Sequence, residues 1–175
     1  MKLSMYDAAV PVSIRAMNNL AAILDKAAAH AEARKIDPAV LIQGRLFPDM
    51  FPLARQVQIA CDTAKDGPAR LAGAEAPAYE DNETSFAELV ARVRRTVAYL
   101  ETLPKAAFEG AEDRTVTFQA RGKSRSFQGM PYLLNHVLPN IYFHVTTAYA
   151  ILRHNGVPVG KRDYLGVQSK RPAAA

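Results

Sequence analysis

Apolar residues recur every three or four positions through most of the chain, the period of helices that bury one face. Tyr6, Val10, Ile14, Met17, Leu20, Leu24 and Ala28 draw one such stripe. It predicts a first helix over 4–34, with Ser4 as its cap and Asp7 in its first turn. Pro11 lies early enough to bend this helix, whereas Pro38 ends it, because the residue before a proline avoids helical torsions. Asp37 then caps one short turn. Phe51, Ala54, Val57, Ala60, Cys61 and Ala64 give the inner face of a second long helix, running from Asp49 or Met50 to Lys65. Asp66-Gly67-Pro68 predicts an interruption, with a further turn to Gly73 beyond a kink. Phe86, Leu89, Val90, Val93, Val97, Leu100 and Leu103 form the cleanest stripe, capped by Thr84 or by Ser85 with Glu88, and ended by Pro104. Arg92, Arg94 and Arg95 fall mainly on its outer, solvated side.

The period then changes. Residues 114–120 alternate with period two, Gly122 supplies a turn, and Ser124 to Phe127 reads as a return strand. Helical spacing resumes near Met130 and closes at Asn155-Gly156-Val157-Pro158. Pro131 suits the first turn of this last helix, and Pro139, in its interior, predicts a kink. The pattern as a whole predicts an all-α fold: a four-helix bundle with a small β-hairpin before the last helix. One domain is expected over 1–166, with a flexible tail over 167–175.

Composition narrows the class. A chain of 175 residues, 49% hydrophobic with Ala dominant and no Trp, suits one core of closely packed helices. No run approaches the ~18 apolar residues of a membrane span. The N-terminus lacks the apolar core of a signal peptide, so a cytoplasmic protein away from membranes is expected. Cys61 is the one cysteine, which excludes an internal disulfide and reads as a small buried hydrophobe. A net charge of +5 would suit nucleic acid, but the basic residues are scattered and no aromatic platform interleaves with them, so that partner is not expected.

Phosphate loops, nucleophile elbows, Cys-x-x-Cys and His-Glu-x-x-His are all missing. The chemistry that remains is on the last helix, where His136, Asn140 and His144 follow one another at steps of four. His144 is a sound first metal ligand, Asn140 a poor second one. His136 lies roughly 12 Å from His144 along the axis, too far to share one ion. The facing helix offers Gln56 and Gln58, with Asp49 and Asp62 as carboxylates. The same histidines also fit a plain structural role, each donating one ring N–H to a carbonyl, with Asn140 serving a carbonyl freed near Pro139. His30 and His154 read as surface residues.

The run Pro139-Asn140-x-Tyr142-Phe143-His144-Val145-Thr146-Thr147-Ala148-Tyr149, continued by Arg153-His154-Asn155-Gly156-Val157 and Gly160-Lys161-Arg162-Asp163-Tyr164-Leu165-Gly166, resembles an uncharacterised bacterial family, domain of unknown function 1993. Ser4-Met5-Tyr6-Asp7 and 48–58 fit the same family. That family is in turn similar to the DinB/YfiT-like four-helix bundles, many of which hold a divalent metal through three histidines. The resemblance puts His144 in the place of the final histidine, Asn140 in that of the penultimate one, and Gln56 or Gln58 near the second-helix histidine. It therefore implies the fold and a degenerate metal site that retains one ligand in three. The thiol-transferase activity of some relatives is not implied with two ligands replaced. Pairing as a homodimer is implied.

These readings converge on a central pocket lined by Tyr6, Asp49, Gln56, Asn140 and His144, taking a small polar molecule. The alternatives are a divalent-metal-dependent hydrolase or thiol transferase, with Zn or Ni weakly held at His144, and a structural or interaction protein with no ligand.

Overall fold

The computed structural model describes residues 3–120 and 122–166. The expected tail, 167–175, lies outside the described residues. Ser4 opens α1 (Met5–Arg34), its Oγ accepting from the Asp7 N–H at 3.1 Å. Pro11 sits inside α1 without ending it, and the helix stops at Lys35, whose φ of 55° turns the chain left-handed. Asp37 caps α2 (Pro38–Ile42) by accepting from the Ala39 N–H at 2.9 Å.

The next helix, α3 (Leu53–Ala72), departs from expectation at both ends. It starts after Pro52, which leaves Asp49 exposed in the preceding turn. It also runs straight through Gly67-Pro68 instead of breaking there. Proline resists a helical predecessor through clashes with that residue's N–H and Cβ, and Gly67 lacks the second. A Cβ at Gly67 would lie 2.5 Å from Val137 Cγ1, so the same glycine lets α3 approach the last helix closely.

Ser85 caps α4 (Phe86–Glu101): its Oγ accepts from the Glu88 N–H at 3.2 Å, and the Glu88 carboxylate accepts from the Ser85 N–H at 2.9 Å. The stripe of α4 is buried as predicted apart from the half-buried Val97, and Arg94 and Arg95 are exposed. Arg92 is not: its side chain is 0% exposed. Strands β1 (Thr115–Ala120) and β2 (Lys123–Gln128) pair antiparallel, Thr115 opposite Gln128 and Ala120 opposite Lys123. Val116 is buried and Phe118 and Phe127 half-buried, so the expected hairpin lays one face on the bundle.

The last helical rod consists of α5 (Gly129–Tyr132), a π-helical turn over Leu133–Val137, and α6 (Leu138–His154), with helical torsions where each joins the next. The distortion expected at Pro139 takes the form of this π turn, in which the Leu138 N–H reaches back five residues to the Leu133 carbonyl. A short α7 (Lys161–Leu165) follows and packs on α1.

α1 and α3 pack on one another; α4 lies against both from one side and α6 from the other. One apolar cluster, from Met5 to Val159, fills the space between them. Leu20, Leu24, Leu53, Val57, Leu89, Leu100 and Ile151 are all 0% exposed. Each such side chain contributes about 1.5–3 kcal/mol by leaving water. Cys61 belongs to this core, where burial pushes its thiol pKa up to about 12. Among the described residues no helix is long and apolar enough to cross a membrane.

Candidate functional site

Of the five expected pocket residues, the fold brings two together. His144, on α6, and Gln56, on α3, meet with Nδ1 and Oε1 2.7 Å apart. The Gln56 Nε2 donates to the Phe51 carbonyl at 3.1 Å, which leaves Oε1 facing the imidazole. A carboxamide oxygen only accepts, so the proton sits on Nδ1 and Nε2 keeps its lone pair. Burial, aided by the Arg55 guanidinium, lowers the His144 pKa to about 4, so the ring is neutral at pH 7.

The other three are elsewhere. Asn140 donates to the His136 carbonyl at 2.6 Å, a local bond within its own helix. Tyr6 packs edge-on against Phe108 at 5.4 Å, beside Lys105 at the start of α1. Asp49 is exposed. Gln58 donates to Glu83 at 3.0 Å, on the far side of α3 from His144. His154 is exposed and His30 half-buried.

A second polar centre forms between α3, α4 and the connection between them. Arg92 Nη1 donates to Glu83 at 2.9 Å and to the Glu80 carbonyl at 2.8 Å. Its Nη2 pairs with Asp62 at 3.0 Å and with Asp81 at 2.9 Å. Arg55 also pairs with Asp81. The Tyr79 ring is covered by the Arg95 guanidinium at 3.7 Å, with Lys65 at 5.1 Å and Arg92 at 5.3 Å. The segment 74–84 is thereby strapped across α3 and α4. A sequence signal for this existed: Arg92 is three residues beyond Leu89 of the inner stripe, and the acids 80, 81 and 83 lie just upstream.

The third centre was not anticipated. Asp62, Thr63, Asp66 and Arg70 of α3 face Tyr132 and His136 across a cleft of about 110 Å³. Arg70 donates to the Tyr132 hydroxyl at 3.0 Å and pairs with Asp66 at 3.3 Å, while Lys65 pairs with Asp66 at 2.5 Å. His136 stacks on Tyr132 with centroids 5.5 Å apart, and the hairpin lays Phe118 and Phe127 against it at 5.3 and 5.6 Å. Burial, with Arg70 and Arg125 nearby, lowers the His136 pKa. Burial raises that of Asp62. The cleft therefore offers a neutral imidazole, a phenol fixed by a guanidinium, and two carboxylates one helical turn apart. Such groups bind donors and acceptors together and can pass a proton between them. The spacing of Asp62, Asp66 and Arg70 by fours is visible in the sequence. It is lost when the helix is read as ending at Lys65.

The sequence model of the family described as "Domain of unknown function (DUF1993)" matches residues 5–165. The chain belongs to that family. It is also similar to a solved structure, a DinB family member protein from Shewanella denitrificans, at 48% identity over 96% of each chain, with a TM-score of 0.89. No curated protein matches. The DinB-like bundle expected from the sequence is thus the fold of this DUF1993 chain. The three-histidine metal cage of the wider superfamily does not fit its residues. The carboxamides that the resemblance sets in or near the cage positions bond within the protein: Gln56 to His144 and Phe51, Gln58 to Glu83, and Asn140 to the His136 carbonyl. Among the described residues no three His, Cys, Asp or Glu side chains converge as a metal site would require. What the DUF1993 chain presents at that place is one neutral imidazole with one free acceptor.

Proposed function

We propose that this DUF1993 protein is a binding bundle for a small polar molecule, with its site in the cleft of Asp62, Thr63, Asp66, Arg70, Tyr132 and His136. The observation that carries this reading is the π turn at Leu133–Val137. A π turn sacrifices regular hydrogen bonding and is frequent where a helix serves a site. Here it holds His136 against Tyr132, on the rim of a cleft whose lining includes three ionisable side chains of α3. The volume of about 110 Å³ restricts the ligand to a few heavy atoms. The lining calls for a molecule with a donor for the carboxylates and an acceptor for the phenol and guanidinium. Small amines, amino acids and hydroxy acids meet that description.

Saturation-transfer NMR with ethanolamine, glycine, serine, glycolate and lactate tests it on the whole chain. At least one should give a signal that disappears in His136→Phe and Arg70→Gln while both variants keep the wild-type circular dichroism. Silence from the whole panel, or a signal indifferent to both changes, refutes the assignment.

A further inference from the structure

A groove apart from the polar cleft runs between α1, α6 and α7, with a volume of about 480 Å³. Ala16 of α1 and Val145 of α6 border it with small apolar side chains, and the rings of Tyr142 and Tyr164 wall it. Its size and apolar lining suit a small organic molecule. The walls are braced from behind: Tyr164 stacks edge-on with Tyr149 at 6.1 Å, its hydroxyl accepts from Thr146 at 3.0 Å, and Asn19 donates to the Tyr164 carbonyl at 2.9 Å. Close approach of α7 to α1 is secured by Gly166, where a Cβ would fall 2.3 Å from Asn19 Oδ1.

One charged side chain lines this groove. Arg15 donates through Nη2 to the Leu165 carbonyl at 2.8 Å, which fixes its guanidinium beside α7. Among the described residues Arg15 forms no ion pair. A guanidinium carries five N–H donors, so the others remain for an anion, and they match the two oxygens of a carboxylate. We infer that this groove binds a small amphipathic monocarboxylate, an aryl or alkyl acid whose body lies between Tyr142 and Tyr164 and whose carboxylate meets Arg15. An apolar groove bordered by one positioned cation selects an acid over the corresponding alcohol or amine. A like-charged ammonium would be repelled, and an alcohol would forgo the charge-assisted bonds.

Calorimetry with 2-naphthoate and octanoate on the full chain tests this, with 2-naphthalenemethanol as the neutral comparison. Arg15→Gln should weaken 2-naphthoate about two- to fivefold, the worth of an ion pair at an exposed guanidinium. The alcohol should bind more weakly by a similar factor. Ala16→Phe, which fills the groove, should remove binding, and Lys123→Gln, an equal charge change on the hairpin, should leave it unaltered. Thermal denaturation of each variant separates a lost site from a lost fold, and Arg15→Gln alone decides the matter if Ala16→Phe fails to fold. Absence of naphthoate binding to the wild type overturns the inference. So does equal affinity for acid and alcohol, or a change of oligomeric state in the groove variants without any bound acid.

Discussion

The Arg92 network and the His136 cleft share Asp62, yet they treat charge in opposite ways. Around Arg92 the guanidinium meets Asp62, Asp81, Glu83 and the Glu80 carbonyl, so its charge is balanced inside the protein. Around His136 the imidazole is neutral and packed by rings, and the polar groups of the cleft still face one another across open volume. The first arrangement has little capacity left for a ligand and ties the strap 74–84 to the bundle. The second keeps polar groups turned towards a space that something can enter. Asp62, Asp66 and Arg70 have partners of their own, so what separates the two centres is the open volume that the cleft keeps beside them.

The sharpest way to break this comparison is to remove the buried cation. Arg92→Ala leaves Asp62, Asp81 and Glu83 without it and should cost about 3–5 kcal/mol. Urea denaturation measures the loss, and limited proteolysis should cut first within 74–84. A near-neutral result would mean that the strap is held by something other than these ion pairs.

The neutral pair between α3 and α6 provides the next largest effect. Folding lowers the His144 pKa to about 4 from an ordinary value of about 6.5, so the native state favours the uncharged ring. The associated stability is complete above about pH 6.5 and lost as the pH falls towards about 4, with a limit on the order of 3 kcal/mol. Denaturation curves at pH 7, 5.5 and 4.5 should show this decline, and His144→Gln should lack that share of it. Equal slopes in the two proteins would remove His144 from the account.

Gly67→Ala tests the contact that shapes the cleft. The added Cβ would meet Val137 Cγ1 at 2.5 Å, so α3 and the π turn must separate, at about 1–3 kcal/mol. The change should shift His136 and Tyr132 resonances more than those of Tyr79. Arg70→Gln is expected to cost a comparable amount, about 1–3 kcal/mol, because it leaves the buried Tyr132 hydroxyl without its guanidinium partner. Its larger effect should be on ligand signals from the cleft.

Much of the fold was legible because local rules and global packing agree in it. The Ser4 and Asp37 caps, the stripe of α4 and the period-two alternation of 114–120 before the Gly122 turn each state their structure within a few residues. The errors arose where one residue changed a neighbour's rule. Pro68 looked like a break until Gly67, lacking a Cβ, made a helical approach to it possible. Reading α3 as ended there separated Asp62 from Asp66 and Arg70 and concealed the cleft. Arg92 was read as solvated because a lone charge belongs outside. Its partners come from α3 and the following loop, and no helical period links them to residue 92.

The sequence by itself determined the family, the bundle and the hairpin. Each of these is written in residue identity and short-range spacing. Only the tertiary structure decided how the polar groups are spent. It joined Gln56 to His144, turned Asn140 back on its own helix, left Asp49 in water and brought His136 against α3. The reason is that the free energy of a polar side chain depends on what faces it after packing, and in this chain the facing groups are supplied by residues distant in sequence.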